Sequence, residues 1–329
     1  MIGPSSDPHS GSPADVVVVG AGVIGLTTAL RLAKSGLKVR VYAADRCPSR
    51  TSSAAGAIWD PLYAEHPHRG RWAEESLGRF ARMAVDGVPG VRMLSGIEAS
   101  QTLVEIPGWS RNLPEFRVCE RDELPTGFAV GWRYRAPVID MPAYLAFLGA
   151  ELQSLGAEVV RRRLTTLSEA MAEARVVVNC GGYGARDLVP DPSVRPIRGQ
   201  LVAVRNPGIA EFFIEQSSGI DDSTYFLPQG DDVLLLGGCA EPDADGYEPD
   251  TTTAEAIVRR CAEIDPRIGH SEILEHRVGI RPHRPTVRLE LVTTQDGHVI
   301  HNYGHSGSGV SLAWGCATEV LDLVTPLPD

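Results

Sequence analysis

The fold is decided by Val16-Val17-Val18-Val19-Gly20-Ala21-Gly22-Val23-Ile24-Gly25-Leu26-Thr27-Thr28-Ala29-Leu30. Four consecutive valines suit a strand buried on both faces of a parallel sheet. From Leu26 to Ala33 the apolar spacing is helical, Gly36 serves as a helix stop, and Lys38 to Tyr42 alternates as a second strand. A βαβ unit results, with G-x-G-x-x-G at its first turn. Gly20 permits the tight turn, Gly22 lets backbone approach a pyrophosphate, and Gly25 allows close helix–sheet packing. The helix N-terminus offers free N–H groups and a positive dipole end to phosphates. Asp45, twenty residues beyond Gly25, is placed to accept from ribose hydroxyls, although Ala43-Ala44 separates it from the strand. The motif alone admits NAD or FAD.

Outward from this unit, the spacing predicts a helix over 71–85, then short runs broken by Pro107, Gly108, Pro114, Pro125 and Gly127. Asp140-Met141-Pro142 opens a further helix expected to reach Leu155. Strands are expected over 157–160, 175–179, 199–204, 224–227, 233–236 and 298–301. Thr252-x-x-Glu255 has the pattern of a capping box ahead of a helix to about Ile264. Nucleotide-type βα segments therefore stand at the start, middle and end, with two β-rich insertions between them and no internal repeat. The expected division is a leader over 1–14, a discontinuous cofactor domain over 15–60, 142–195 and 275–329, and a substrate domain over 61–141 and 196–274.

The chain has 329 residues and a formal net charge of −11, which argues against a nucleic-acid-binding protein. No apolar run reaches the ~18 residues of a membrane span. The six cysteines are scattered without a CxxC pair, so neither a disulfide scaffold nor a zinc pattern is present, and a reducing cytoplasm is the expected location. Of 31 basic residues only Lys34 and Lys38 are lysines. Both fall at the Gly36 turn, opposite the strand ends where such folds bind ligands, which disfavours a lysine Schiff base.

Three later segments bear on chemistry. In Gly279-Ile280-Arg281-Pro282-His283-Arg284-Pro285 the proline biases Arg281 to an extended backbone, and a planar guanidinium suits bidentate capture of a carboxylate. Tyr225 opens the apolar strand Tyr225-Phe226-Leu227-Pro228, where it either packs or points its hydroxyl into a cleft. Ile300 to Ser311, with Gly304, Gly307 and Gly309, is a second strand-to-helix turn that aims N–H groups and a helix dipole at a negative centre. His301, His305, His66 and His68 lack partners at metal-ligand spacing.

With VVVVGAGVIGLTTAL, SSAAGAIWDP, VVVNCGGYGARDL, RGQLVAV, GIRPHRPTVRLE and HNYGHSGSG…WGC in order, the chain resembles the D-amino-acid oxidase family of flavoproteins from about Asp15 to Thr325. The resemblance implies an α/β fold: a Rossmann-like FAD-binding domain interleaved with a mixed-sheet α+β substrate domain. It also implies non-covalent FAD held by Gly20, Gly22, Val23, Ile24, Gly25, Asp45, Arg46, Ser53, Leu164 and Gly182. Ala55, Gly56, Ala57 and Ile58 line one flavin face. Gly304, Ser306, Gly307, Gly309, Val310 and Ser311 hold its pyrimidine edge, and Arg281 lies beside it. The catalytic set carried over is Arg281 on the substrate carboxylate, Tyr225 hydrogen-bonded to it, and the Gly307 carbonyl receiving the amino group.

The implied reaction is oxidative deamination of neutral D-amino acids, with hydride transfer from Cα to flavin N5. Oxygen is then reduced to hydrogen peroxide, and the imine is hydrolysed to a 2-oxo acid and ammonia. The chain departs from the family's pattern at Asp60, where a glutamine is usual, and at Asp221, where many eukaryotic members carry a lid tyrosine. At Ser217 and Ser218 it has no arginine like that of D-aspartate oxidases. Asp60, Asp221 and Asp222 near the mouth are expected to repel D-Asp and D-Glu. Alternatives are D-aspartate oxidation, a glycine- or sarcosine-type amine oxidase, a nicotinamide dehydrogenase and a non-catalytic FAD-binding protein. The family also leads us to expect a homodimer.

Overall fold

The computed structural model describes residues 13–44, 50–216 and 223–327. Two sheets organise the described residues. The first has six strands in the order Arg288–Thr294, Gly297–Tyr303, Val176–Asn179, Val16–Val19, Val39–Ala43 and Glu158–Arg161. All neighbours are parallel except the outermost pair, Arg288–Thr294 against Gly297–Tyr303. Val16 to Val19 are all buried, which explains the unbroken valine run. Val39–Ala43 and Val176–Asn179 pair on opposite sides of this central strand, so the order reverses there. Its carboxyl end is the topological switch point, and Gly20 to Gly25 sit on it.

Helices Val23–Ala33 and Gly309–Val324 pack against each other, and Arg69–Val85 packs on the latter. Lys34 and Lys38 lie at the far end, where the Lys34 Nζ pairs with Glu151 at 3.0 Å. The helix expected after Asp140 spans Met141–Ser154 with proline in its first turn. The helix expected from Thr252 is Thr251–Ile264. It is capped by the Asp250 side chain, which accepts from the Thr253 N–H at 2.6 Å, rather than by a Thr252/Glu255 box.

The second sheet has ten strands, eight of them on its main path, including Val91–Ser100, Val130–Ile139, Arg195–Arg205, Phe212–Glu215, Tyr225–Gln229 and Val233–Gly237. Strand Ile273–His283 pairs antiparallel with Arg195–Arg205. Where only short interrupted runs were expected between 86 and 139, the structure has two ten-residue antiparallel strands, Val91–Ser100 and Val130–Ile139. One face of this sheet contributes Val202, Val204, Phe213, Phe226, Leu234 and Leu236 to a core with Ile257 and Cys261 of helix Thr251–Ile264. The other face carries Trp132, Tyr134, Phe212 and Leu227 into the main core, which is shared with helix Val23–Ala33. No described helix is long and apolar enough to cross a membrane.

Candidate active site

Two glycine-rich helix starts meet at the switch point. A β-carbon on Gly309 would stand 3.8 Å from Val23 Cγ1 and 4.0 Å from Ile24 Cγ1. Neither helix has an acidic residue in its first turn or a cap from its own N-cap side chain, so two positive dipole ends converge on one region. Gly20 has φ +112°, and a β-carbon on Gly25 would fall 1.9 Å from the Gly20 carbonyl oxygen. The turn and the close helix approach therefore require these glycines. Helix Arg50–Ala54 closes over the start of Val23–Ala33, where the Val23 N–H donates to Ser52 Oγ at 3.0 Å.

The same short helix ties this region to Arg281. Thr51 Oγ1 donates to the Ile280 carbonyl, and the Ile280 N–H donates back to Thr51 Oγ1, both at 3.3 Å. On its other side the Arg281 strand holds the last turn: the Ser306 N–H donates to the Pro282 carbonyl at 3.1 Å, and His283 Nδ1 lies 3.1 Å from Ser306 Oγ. The Arg281 side chain lies over Gly199 of the paired strand, where a β-carbon would meet Nη1 at 2.5 Å and Cζ at 2.7 Å. One N–H of the guanidinium donates to the Cys239 carbonyl at 3.1 Å. Its backbone and one donor fixed, the fork is pre-aimed, which lowers the ordering cost of gripping a carboxylate.

Strand register sets what stands beside it. Tyr225 pairs with Gly237 on one side and Ile214 on the other, Ile214 pairs with Glu98, and Glu98 with Trp132. Directly opposed residues share a face, so Trp132, Glu98, Ile214 and Tyr225 form one row on the face turned to the main core. The Tyr225 ring rests on Gly237 and reaches Gly56, whose β-carbon would be 3.2 Å from the hydroxyl. Burial pushes the Tyr225 phenol up to about 12 while Arg281 pulls it down, so it is a neutral hydrogen-bond donor beside a cation. From beneath, the Arg260 guanidinium donates to the Gly238 carbonyl at 2.7 Å and Cys261 Sγ to the Tyr225 carbonyl at 3.4 Å.

Two carboxyls complete this side. Glu98, 3% exposed, accepts from the Tyr134 hydroxyl at 2.8 Å; burial and then Asp60 push it up to about 8. Asp60 is pushed up to about 6 by burial, against a stabilising Leu62 N–H at 3.0 Å. The segment after Trp59 is stapled to the last helix: the Asp60 N–H donates to Ser311 Oγ at 2.8 Å and the Tyr63 N–H to Ser308 Oγ at 2.9 Å.

The residues expected at the site from the sequence divide cleanly. Gly20, Gly22, Val23, Ile24, Gly25, Ser53 and the turn from Gly304 to Ser311 surround the two helix starts. Ala55 and Gly56 lead into strand Ala57–Ile58, paired with Ile139 and Val138 of the second sheet. Leu164 is buried beside Tyr42, two residues after Arg162, whose N–H donates to the Ala43 carbonyl at the end of the second parallel strand. Gly182, with φ +56°, follows the strand Val176–Asn179. Asp45, Arg46, Asp221, Asp222, Ser217 and Ser218 lie outside the described residues.

His301 and His305 are buried below the turn. Burial lowers them to about 4 and about 3, and His305 Nε2 lies 3.5 Å from Cys316 Sγ, so they are neutral packing groups. Glu98, Tyr134, Ile214 and Tyr63 were not found from sequence. Glu98 in Ser95-Gly96-Ile97-Glu98 carries no motif, and only register reveals it.

The site also fits a bound FAD. The Ser53 hydroxyl is buried without a hydrogen-bond partner among the described residues, an orphan donor on the helix that covers the phosphate-type turn. The acid-free helix starts want negative charge at the same place. FAD would be held by these N–H groups, Ser53 and the Gly304–Ser311 turn.

The model of the FAD dependent oxidoreductase family matches residues 15–323. The chain is 46% identical to a D-amino-acid oxidase of Streptomyces coelicolor over 315 residues, covering 94% of this chain and 97% of that one. It is 44% identical to a D-amino-acid oxidase of Rubrobacter xylanophilus, covering 94% and 95%, and 32% identical to the human D-aspartate oxidase, covering 96% and 98%. Among solved structures, glycine oxidase from Geobacillus kaustophilus superposes with a TM-score of 0.82 at 21% identity, covering 96% and 95% of the two chains; at that identity the likeness speaks for the fold. With the match running through both glycine-rich turns and the Arg281 strand, the chain belongs to the family of FAD-dependent oxidoreductases.

Proposed function

We propose that the chain oxidises D-amino acids, and neutral ones in preference to D-Asp and D-Glu. The observation that carries the reading is the convergence of Arg281, Tyr225 and the Gly304–Gly309 turn on the cofactor side of the second sheet. The full-length similarity to two D-amino-acid oxidases supports it.

The chemistry FAD supplies when bound is acceptance of the Cα hydride, with the electron pair then passed to oxygen to give hydrogen peroxide. This chain's residues bind and orient. Arg281 takes the carboxylate bidentately and Tyr225 donates to the same group. The Gly307 carbonyl accepts from the amino group, which releases its ammonium proton to solvent on or before productive binding so that the nitrogen lone pair can form the imine as the hydride leaves. Three fixed points leave one face of Cα towards the cofactor, which sets stereochemistry and supplies the proximity term. No acid or base need touch Cα. Asp60, ionised at neutral pH, disfavours a second carboxylate on the substrate. Water then hydrolyses the imine to a 2-oxo acid and ammonia.

The same proposal retains the two-domain division at 15–60, 142–195 and 275–329 against 61–141 and 196–274. It also has the chain act in the cytoplasm, where the described cysteines are free thiols, and as a homodimer. The deciding experiment is anaerobic bleaching of the holoenzyme's flavin by a panel of D- and L-amino acids, glycine and sarcosine. Bleaching by D-Ala or D-Val but not by L-Ala or sarcosine is expected. Bleaching by sarcosine alone would move the function to achiral amines, and bleaching by none would remove the catalytic reading.

A further inference from the structure

Tyr63 stands out among the exposed aromatics because of what it covers. A β-carbon on Gly307 would meet Tyr63 Cβ at 3.3 Å and Cγ and Cδ2 at 3.4 Å, so the side chain lies directly on the glycine whose carbonyl is assigned to the substrate amine. Its backbone is not loose. The Tyr63 N–H donates to Ser308 Oγ at 2.9 Å, three residues earlier the Asp60 N–H donates to Ser311 Oγ at 2.8 Å, and Pro61 between them is buried. The residue is nonetheless 44% exposed. A firmly held loop thus lays a large, partly exposed amphipathic ring on Gly307, and among the described residues its hydroxyl has no hydrogen-bond partner.

The charges around that hydroxyl belong to the site. It is pushed above the ordinary phenol range by burial first and then by Asp60 and Tyr225, with Arg281 pulling the other way. The ring lies on Gly307, and its hydroxyl is within electrostatic reach of both Arg281 and Tyr225 of the same site. At working pH it is a neutral phenol, able to donate.

We propose that Tyr63 is a substrate-contacting residue: its ring closes the site over Gly307, and its hydroxyl donates to the substrate carboxylate alongside Arg281 and Tyr225. This rests on the proposed function of the site. A neutral donor added to a charged acceptor gives a strong hydrogen bond, and the ring excludes water from the amine acceptor below it. Because the carboxylate is unchanged through the reaction, the contact holds substrate and transition state alike and belongs in KM rather than kcat.

The test uses holoenzyme of wild type, Tyr63→Phe and Tyr63→Leu, with D-Ala as substrate and benzoate as a carboxylate lacking an amine, its binding followed by the change in flavin absorbance. Loss of a hydrogen bond to a charged group corresponds to roughly a tenfold loss of affinity or more. Tyr63→Phe is expected to raise the D-Ala KM and the benzoate Kd by about that factor, with kcat changed little and flavin content intact. Tyr63→Leu is expected to raise both further, because the ring is lost as well. Unchanged KM and Kd in Tyr63→Phe would overturn the assignment. If wild type bleaches with D-Ala and Tyr63→Phe behaves identically, only the role of Tyr63 falls. If wild type bleaches with no D-amino acid, the function of the site falls with it. A Tyr63→Leu protein that loses flavin leaves Tyr63→Phe, which keeps the ring, to decide.

Discussion

The Tyr225 ring lies so close over Gly237 that a β-carbon there would stand 1.9 Å from its Cζ and 2.3 Å from Cε2. No side chain fits at that distance, so the glycine is what lets the tyrosine lie across the strand towards Gly56. Gly237→Ala is therefore expected to displace the ring without touching the cofactor turns. A KM for D-Ala raised at least about tenfold, with normal flavin content, is the expected result. Unchanged kinetics would mean that Tyr225 does not need this pose.

Arg281 is held from three sides: by Gly199 beneath it, by the Cys239 carbonyl, and by Thr51 bonded to Ile280 next to it. Arg281→Ala is expected to lower kcat/KM for neutral D-amino acids by two or more orders of magnitude, on the order of 3 kcal/mol or more of lost binding in the transition state. Arg281→Lys is expected to recover little of this, since an ammonium cannot reproduce the bidentate fork. Steady-state kinetics on both, with the flavin-to-protein ratio measured alongside, checks the assignment. Near-normal turnover in Arg281→Ala would move the carboxylate site elsewhere.

Ser53 offers a test of the cofactor cradle that does not depend on turnover. Its buried hydroxyl lacks a partner among the described residues, whereas neighbouring Ser52 already accepts from the Val23 N–H. Ser53→Ala is expected to weaken FAD binding by about tenfold while leaving apoprotein unfolding nearly unchanged, because no intramolecular bond is lost. Fluorescence titration of apoprotein with FAD gives the affinity. A stability loss without an affinity loss would make Ser53 a packing residue.

The cofactor half of the site was legible because its requirements are local. A glycine with φ +112° at position 20, and a helix residue at Gly25 whose would-be β-carbon falls 1.9 Å from the Gly20 carbonyl oxygen, leave their mark in one short motif. The substrate half depends on register between strands distant in sequence. Glu98, Ile214 and Tyr225 become neighbours only when Val91–Ser100, Phe212–Glu215 and Tyr225–Gln229 align. The first of these was itself hidden. Ser95, Gly96 and Ser100 dilute its β-propensity, and the missing side chain of Gly96 is replaced by the Phe212 ring, 2.3 Å from where its β-carbon would be. Tyr63 gave no signal at all, since nothing in Pro61-Leu62-Tyr63 says that the ring will settle on a glycine more than 200 residues away.

Glu98 makes stability depend on pH in a direction that can be worked out. Its ordinary value of 4.5 is raised to about 8 in the fold, by burial first and by Asp60 second, with Tyr134 and Trp132 opposing. Between those two values the folded chain holds a proton that the unfolded chain has released. Unfolding free energy therefore falls as pH rises through this window, and levels off once the folded carboxyl ionises. The full difference is on the order of a few kcal/mol. Glu98→Gln keeps the shape and an acceptor for the Tyr134 hydroxyl but cannot ionise. Urea unfolding of the two proteins at pH 6 and pH 9 is expected to show wild type losing stability on the alkaline side and Glu98→Gln losing clearly less. Parallel slopes for the two proteins would show that Glu98 is already ionised at neutral pH, and that the row beside Tyr225 carries a charge rather than a neutral carboxyl.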